Sequence, residues 1–508
     1  MKRLATTYLL LLCSFAAYSQ PATGLIQTSN LVLRLGSDGF VKDSAKSAAL
    51  KNKNGMALLQ NASVWMSATD SAGKNRLAVQ DLFNGVGEFW SGPMTLSNEQ
   101  ASNSTQWNKV YSMSKNDIKF HNDNYKNQSY VASSRIGNWP GSLGFPYAQV
   151  LAPFVDLENN NRVYEPSKGD YPYIESDAVL FSISNDVFGP HSVGKGLPLG
   201  IELHTTVMSF EEPALKNCFM VRYAVFNRSN RNYANFRFSP VLNFEIGGVE
   251  NEYIGTEIGA QAIYSINDTS EATFSKKLVS LGCMALNKHI SSSMYFENNA
   301  DPINGLPDSV QHFMNLMQGK WKNGKVLNYG SNGVDGSGTA RYVYPDTTDL
   351  THSNMRWLDQ VPGKKIGLLN FDSIELKRGE ATYYDVVLFY VEENFKSFKQ
   401  IGENCLRIKQ VLNTKNLLKI DQNTPQKAPI LTLFPNPLKI GDKLKVQTVL
   451  ESPECIALMD MNGREICKLD LDDTDKSIIL PPDLDAGVYM IEYKTLNIVH
   501  VQKLILTH

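Results

Sequence analysis

The chain is short of the residues that would announce a chemistry. Six cysteines in 508 residues, none in a CxxC pair and none spaced with histidine as a zinc site requires, exclude a disulfide-stapled scaffold and a structural zinc module. Charge of one sign is missing too. Forty-nine basic residues against 51 acidic give a formal charge of −2, which excludes the broad basic footprint of a nucleic-acid binder. No stretch reaches eighteen uninterrupted apolar residues, so no helical transmembrane anchor is expected. Eight histidines form no HExxH motif, and neither a GxSxG elbow nor a glycine-rich phosphate loop follows a strand-like run. No catalytic residue is therefore assigned.

What is present points to export and to β-structure. Lys2 and Arg3, the apolar run Tyr8–Phe15 and the small residues of Ala17-Tyr18-Ser19 read as a signal peptide over residues 1–19, cleaved before Gln20. Alternating strand-like runs dominate residues 20–420: Leu31–Leu35, Ser63–Ser67, Ala178–Ile183, Leu199–Phe210, Phe219–Phe226, Phe236–Phe244 and Thr382–Val391. A single helix is expected from Asn394 to about Lys415, because Phe395, Phe398, Ile401, Cys405, Ile408 and Leu412 recur at three- and four-residue steps. The expected class is mainly β: a large β-sandwich-type body, divisible into two subdomains, closed by that helix. Residues 421–429, which hold Pro425 and Pro429, read as a linker. From residue 430 to 508, seven short strands separated by turns describe a small immunoglobulin-like antiparallel sandwich. Cys455 and Cys467 flank a hairpin there and are candidates for near neighbours.

Four blocks of this tail occur in order: LFPNP at Leu433–Pro437, MDMNGREI at Met459–Ile466, LDAGVYMIEY at Leu484–Tyr493 and VQKLIL at Val501–Leu506. They resemble the type A C-terminal sorting domain of cargo carried by the type IX secretion system of the Bacteroidota. The resemblance implies that the machinery reads Pro435, Asn436, Pro437, Asp460, Gly463, Gly487, Tyr489 and Lys503, and that the protein ends up secreted or on the outer cell surface. The body is similar to a group of large secreted proteins that carry the same tail. The matching stretches include Ala62–Leu82, Trp107–Ile118, Ala152–Pro172 and Arg341–Asp346. That group lends no reaction.

Candidate chemistry in the body is sparse. Asp156, Glu158, Asn160 and Asp170 place oxygen side chains at intervals in a turn, as a calcium loop does; the alternative is an Asx-rich turn that caps its own backbone. Glu245, Glu250, Glu252 and Glu257 form a second acidic group, expected on a solvated hairpin face or as a shared metal site. Asp-Ser-apolar triplets at Ser44, Ser71, Ser309 and Ser373 resemble the O-glycosylation sequon of exported Bacteroidota proteins. Six tryptophans are expected mostly in the core, although exposed indoles at Trp90 or Trp139 would suit a sugar. The sequence favours a non-catalytic surface protein, structural or adhesive, delivered by the type IX machinery. A polysaccharide-binding or polysaccharide-cleaving protein is the alternative, with cell-surface polysaccharide as its partner.

Overall fold

A computed structural model gives the fold. It describes residues 20–507 apart from internal segments, the longest being 349–355, 393–398 and 418–430. The signal-peptide residues lie outside the described ones. The chain separates into two compact units, Met1–Asp421 and Gln422–His508.

Among the described residues, the larger unit is built on two antiparallel nine-stranded sheets. The first runs in the order Thr23–Gln27, Leu31–Gly36, Leu50–Asn52, Ala57–Thr69, Tyr233–Phe244, Lys365–Phe371 and Ile290–Glu297, with Asn75–Ala78 and Ile374–Leu376 attached at its side. The second is centred on Ala381–Val391, Cys218–Asn227, Ile201–Ser209 and Ala178–Asn185. Alternation sends one side chain in two to the space between the sheets. There Val64, Leu203, Phe219, Val221, Phe238 and Tyr384 join one continuous core. Phe238 and Tyr384 stack across the gap with ring centroids 4.1 Å apart and planes 6° from parallel.

The second sheet is apolar on its outer face as well, where Met220, Met284, Val387 and Phe389 are buried. The expected helix covers that face over Lys399–Thr414, and Ile401, Cys405, Ile408 and Leu412 form its fully buried stripe. Phe395 and Phe398 fall outside the described residues. Among the described residues, three further α-helices were not anticipated, one of them the single turn Ser134–Gly137. Lys115–Asn124 is mostly polar and has only His121 buried, so no stripe betrays it; a capping box between Ser114 and Asp117 starts it. Val310–Met317 buries Phe313, Leu316 and Met317 against the first sheet, where the Asn370 amide donates to Leu316 O at 2.9 Å.

The smaller unit is a two-sheet antiparallel sandwich closed by one parallel pairing. Leu431–Phe434 pairs with Leu444–Thr448 in a four-stranded sheet. After Pro435-Asn436-Pro437 the chain crosses to the other sheet, where Leu438–Lys439 runs parallel to the final strand, Val499–Thr507. Cys455 and Cys467 lie on paired strands but out of register: Leu458, not Cys455, stands opposite Cys467, and both thiols are free.

Candidate functional site

The Asp156–Asp170 loop hangs from a two-residue ladder, Phe154–Val155 with Tyr171–Pro172. Asp170 is buried, and its two oxygens accept from Leu157 N at 3.0 Å and Glu165 N at 2.8 Å. Asp156 accepts from Arg162 N at 2.9 Å. Gly169 adopts φ 104°, and a Cβ there would stand 2.6 Å from the Tyr125 ring, so the loop folds back onto Lys115–Asn124 only with glycine at this point. Glu158 and Asn160 are outside the described residues. Among the described residues, no cluster of three or more histidine, cysteine, aspartate or glutamate side chains is placed to hold a metal ion.

The second acidic group is not a solvated face. Glu252 is buried, accepting from Ile246 N at 3.0 Å, and burial lifts its carboxyl to about 7 against the pull of the surrounding amides. Burial also raises Glu245 and Glu257. Glu257 ends a strand of the second sheet and diverges from the others to lie beside Gly402, on the helix that covers that sheet's outer face. Glu250 is outside the described residues.

One polar cluster had no motif to reveal it. Glu88, Asp186 and Glu202 are all fully buried. Glu88 accepts from Val79 N, Val193 N and Gly194 N at 2.7 to 3.0 Å, and Asp186 from Leu199 N, Gly200 N and Ile201 N at 2.5 to 2.9 Å. His191 lies between them, Nδ1 2.7 Å from Leu77 O and Nε2 2.6 Å from Asp186 O. With a carbonyl oxygen at each ring nitrogen, both must donate, so the ring is an imidazolium. Burial alone would lower its pKa; the Glu88 and Asp186 carboxylates outweigh that and raise it to about 9. Glu202 takes Met94 N at 2.7 Å, His204 Nε2 at 3.0 Å and Arg228 Nη2 at 2.9 Å. Burial would raise the Glu202 carboxyl, but its contacts with His204 and Arg228 carry it down to about 2. Each acid is saturated by backbone amides or side-chain partners. These groups anchor loops, and none lines the cavity bounded by the loops 329–337 and 356–361.

A cavity of about 770 Å³ lies elsewhere, between the strands Ile290–Glu297 and Lys365–Phe371 and the loops 329–337 and 356–361. Its floor is aromatic and polar. Tyr295 and Tyr344 bring their hydroxyls to 3.3 Å of each other. Trp357 packs on Tyr329 and Tyr344 with centroids 4.9 and 5.1 Å away, and its indole N–H donates to Ser331 O at 2.9 Å. Lys365 Nζ sits 2.8 Å from Asp359 Oδ2 and also donates to Val361 O. Ser331, Tyr344 and Asp346 adopt φ of 51°, 45° and 49°, left-handed backbone that non-glycine residues hold only where the surroundings impose it. Arg356 fixes Asp346 through a 2.9 Å contact. Among the tryptophans singled out in the sequence, only Trp357 lines this cavity. Trp65, Trp107, Trp139 and Trp321 are core residues and Trp90 is half-buried.

The glycosylation triplets divide by location. Ser71 and Ser373 are exposed, Ser44 is outside the described residues, and Ser309 caps the helix Val310–Met317 by accepting from His312 N. In the tail, Pro435, Asn436 and Pro437 are exposed, and the Asn436 side chain accepts from Ile505 N at 3.0 Å, tying the sheet crossing to the last strand. Gly487 pairs with Leu506 and Tyr489 with Leu504, and the Tyr489 hydroxyl donates to Asp485 O. Lys503 stands opposite Met490, and Asp460 follows the strand Cys455–Met459. Gly463 is outside the described residues.

Residues 432–507 match the family described as the secretion system C-terminal sorting domain. No curated protein matches the sequence. Among solved structures, a polysaccharide lyase aligns with 64% of this chain at 11% identity and a TM-score of 0.20, a likeness too slight to bear on fold or activity. The alignment spans 39% of that protein's own length. No helix among the described residues is long and apolar enough to cross a membrane. The final residues of the chain, 432–507, are a type IX sorting domain, and the chain is cargo of that route, exported to the cell surface or released.

Proposed function

We propose that the body of this cargo is a non-catalytic surface protein, adhesive or structural. The reading is supported by how the buried ionisable groups of one cluster are employed. Glu88, Asp186 and Glu202 are saturated by amides and cationic side chains, and His191 is held as an imidazolium, so none is available as a general base. The tryptophans supply packing more than a binding stripe. The Asp156–Asp170 loop is read the same way, as a turn capped by its own carboxylates rather than a calcium site.

Two measurements test this. Deleting residues 428–508 is expected to strand the protein in the periplasm while the body stays folded. Incubating the full secreted chain with a panel of polysaccharides is expected to release no new reducing ends and no unsaturated sugar; sustained product release refutes the non-catalytic reading. A polysaccharide-binding role, without cleavage, is favoured as the form of adhesion by the cavity between the paired strands Ile290–Glu297 and Lys365–Phe371 and the loops 329–337 and 356–361.

A further inference from the structure

We infer that this cavity binds the end of a neutral, polyhydroxylated ligand, a short saccharide or the terminus of a longer one, with Tyr344, Tyr295, Glu297 and Asn304 making the principal hydrogen bonds. The inference deepens the adhesive reading and rests on it.

Size is the first support. About 770 Å³ falls within the roughly 300–1,000 Å³ typical of small-molecule sites. Wall chemistry is the second. The aromatic residues of the floor are almost wholly buried, so a ligand meets only a small part of Tyr295 and Tyr344, together with the half-buried Glu297 and Asn304. Burial pushes Tyr295 up to about 12 and Tyr344 beyond it, so both phenols stay protonated and serve as hydrogen-bond donors and acceptors. Asn304 and Glu297 add an amide and a carboxylate, joined to each other at 3.3 Å. A dense mixture of donors and acceptors suits vicinal hydroxyls, each of which is both.

Charge narrows the class further. Lys365 is committed to Asp359 and Arg356 to Asp346. Glu297 and Asp335, by contrast, have no cationic partner among the described residues and leave the lining net negative. Polyanionic glycans such as polyuronates are repelled, and neutral ones are not. Asp359 also accepts from Ile254 N at 2.9 Å and Val361 N at 3.3 Å, so it is no free base beside the ligand. The left-handed backbone at Ser331 and Tyr344 and the Trp357–Ser331 bond hold the walls in place before anything enters, which limits the ordering cost of binding.

The test uses the full secreted chain with gluco-, manno-, galacto- and xylo-oligosaccharides, and polygalacturonate for comparison, followed by calorimetry and saturation-transfer NMR. At least one neutral series is expected to bind and polygalacturonate is not. Tyr344→Phe and Glu297→Gln are each expected to weaken binding about tenfold, Glu297→Gln with an unchanged melting temperature. Absence of binding across the neutral panel, preference for polygalacturonate, or wild-type affinity in both variants overturns the assignment. Cell adhesion that survives Tyr344→Phe also refutes the site while leaving adhesion standing. Cleavage of a bound oligosaccharide refutes the non-catalytic reading and leaves the site.

Discussion

Arg222 and Asp385 stand directly opposite each other on neighbouring central strands, and the guanidinium grips the carboxylate with both arms, Nε to Oδ1 at 2.8 Å and Nη2 to Oδ2 at 2.9 Å. The same Nη2 donates to Leu417 O at 3.1 Å, and Nη1 reaches Glu175 at 2.7 Å. One side chain thereby joins two strands of the second sheet to the chain just past the helix Lys399–Thr414. Asp385 is fully buried, so removing its partner strands a charge. Arg222→Met is expected to cost about 3–5 kcal/mol in denaturant unfolding. Arg222→Lys should recover only part of that, because an ammonium cannot reproduce the two-armed contact.

Two buried groups give the body a pH dependence of one sign. His191 titrates near 9 against an ordinary value of 6.5, so its contribution is complete below 6.5 and is lost as pH rises through 9. Glu252 titrates near 7 against 4.5, so folding is penalised progressively between those values. Stability measured by urea unfolding should therefore fall from pH 5 to pH 9, by roughly 2–3 kcal/mol for each group. Glu252→Gln should flatten the acidic half of that slope and leave the alkaline half in place.

The Asp156–Asp170 loop offers a direct contrast. If its carboxylates serve the backbone, millimolar calcium will leave the melting temperature unchanged. Asp170→Ala, which deprives two amides of their acceptor, should destabilise the body by about 2–3 kcal/mol. A calcium-induced rise in melting temperature that Asp156→Ala abolishes would instead establish a cation site.

Location also sorts the modification signals. Intact-mass and peptide mapping of the secreted protein is expected to place any hexose on Ser71 or Ser373, which are exposed, and none on Ser309. A sugar at Ser309 would remove a helix cap worth about 1 kcal/mol.

The framework was legible because its signals are local. Period-two runs such as Phe219–Phe226 and Phe236–Phe244 fell on real strands, and the stripe at Ile401, Cys405, Ile408 and Leu412 became the buried side of a helix. Lys115–Asn124 escaped because a polar helix has no apolar period, although Ser114 and Asp117 carried its start signal. Ser309 was read for modification when its more immediate role was to open a helix. The cavity was illegible for a different reason. Tyr295 and Lys365 are far apart in the chain and are brought together by the pairing of Ile290–Glu297 with Lys365–Phe371, while Tyr344 is drawn in where Val343 N donates to Ser293 Oγ. The glutamates from 245 to 257 misled in the opposite direction, since closeness in sequence implied a shared, wetted face that Glu252 and Glu257 do not share.

Among the described residues, the helix Lys399–Thr414 is the last element of the body, yet it supplies the lid of a core layer whose floor was laid down by strands from residue 111 onward. The body is accordingly unfinished until nearly all of it has emerged from the ribosome, and truncations that stop short of Leu417 should expose the apolar outer face of the second sheet and aggregate. A protease that frees the sorting domain without undoing the body must then cut downstream of Leu417, after the point where Arg222 fastens the chain.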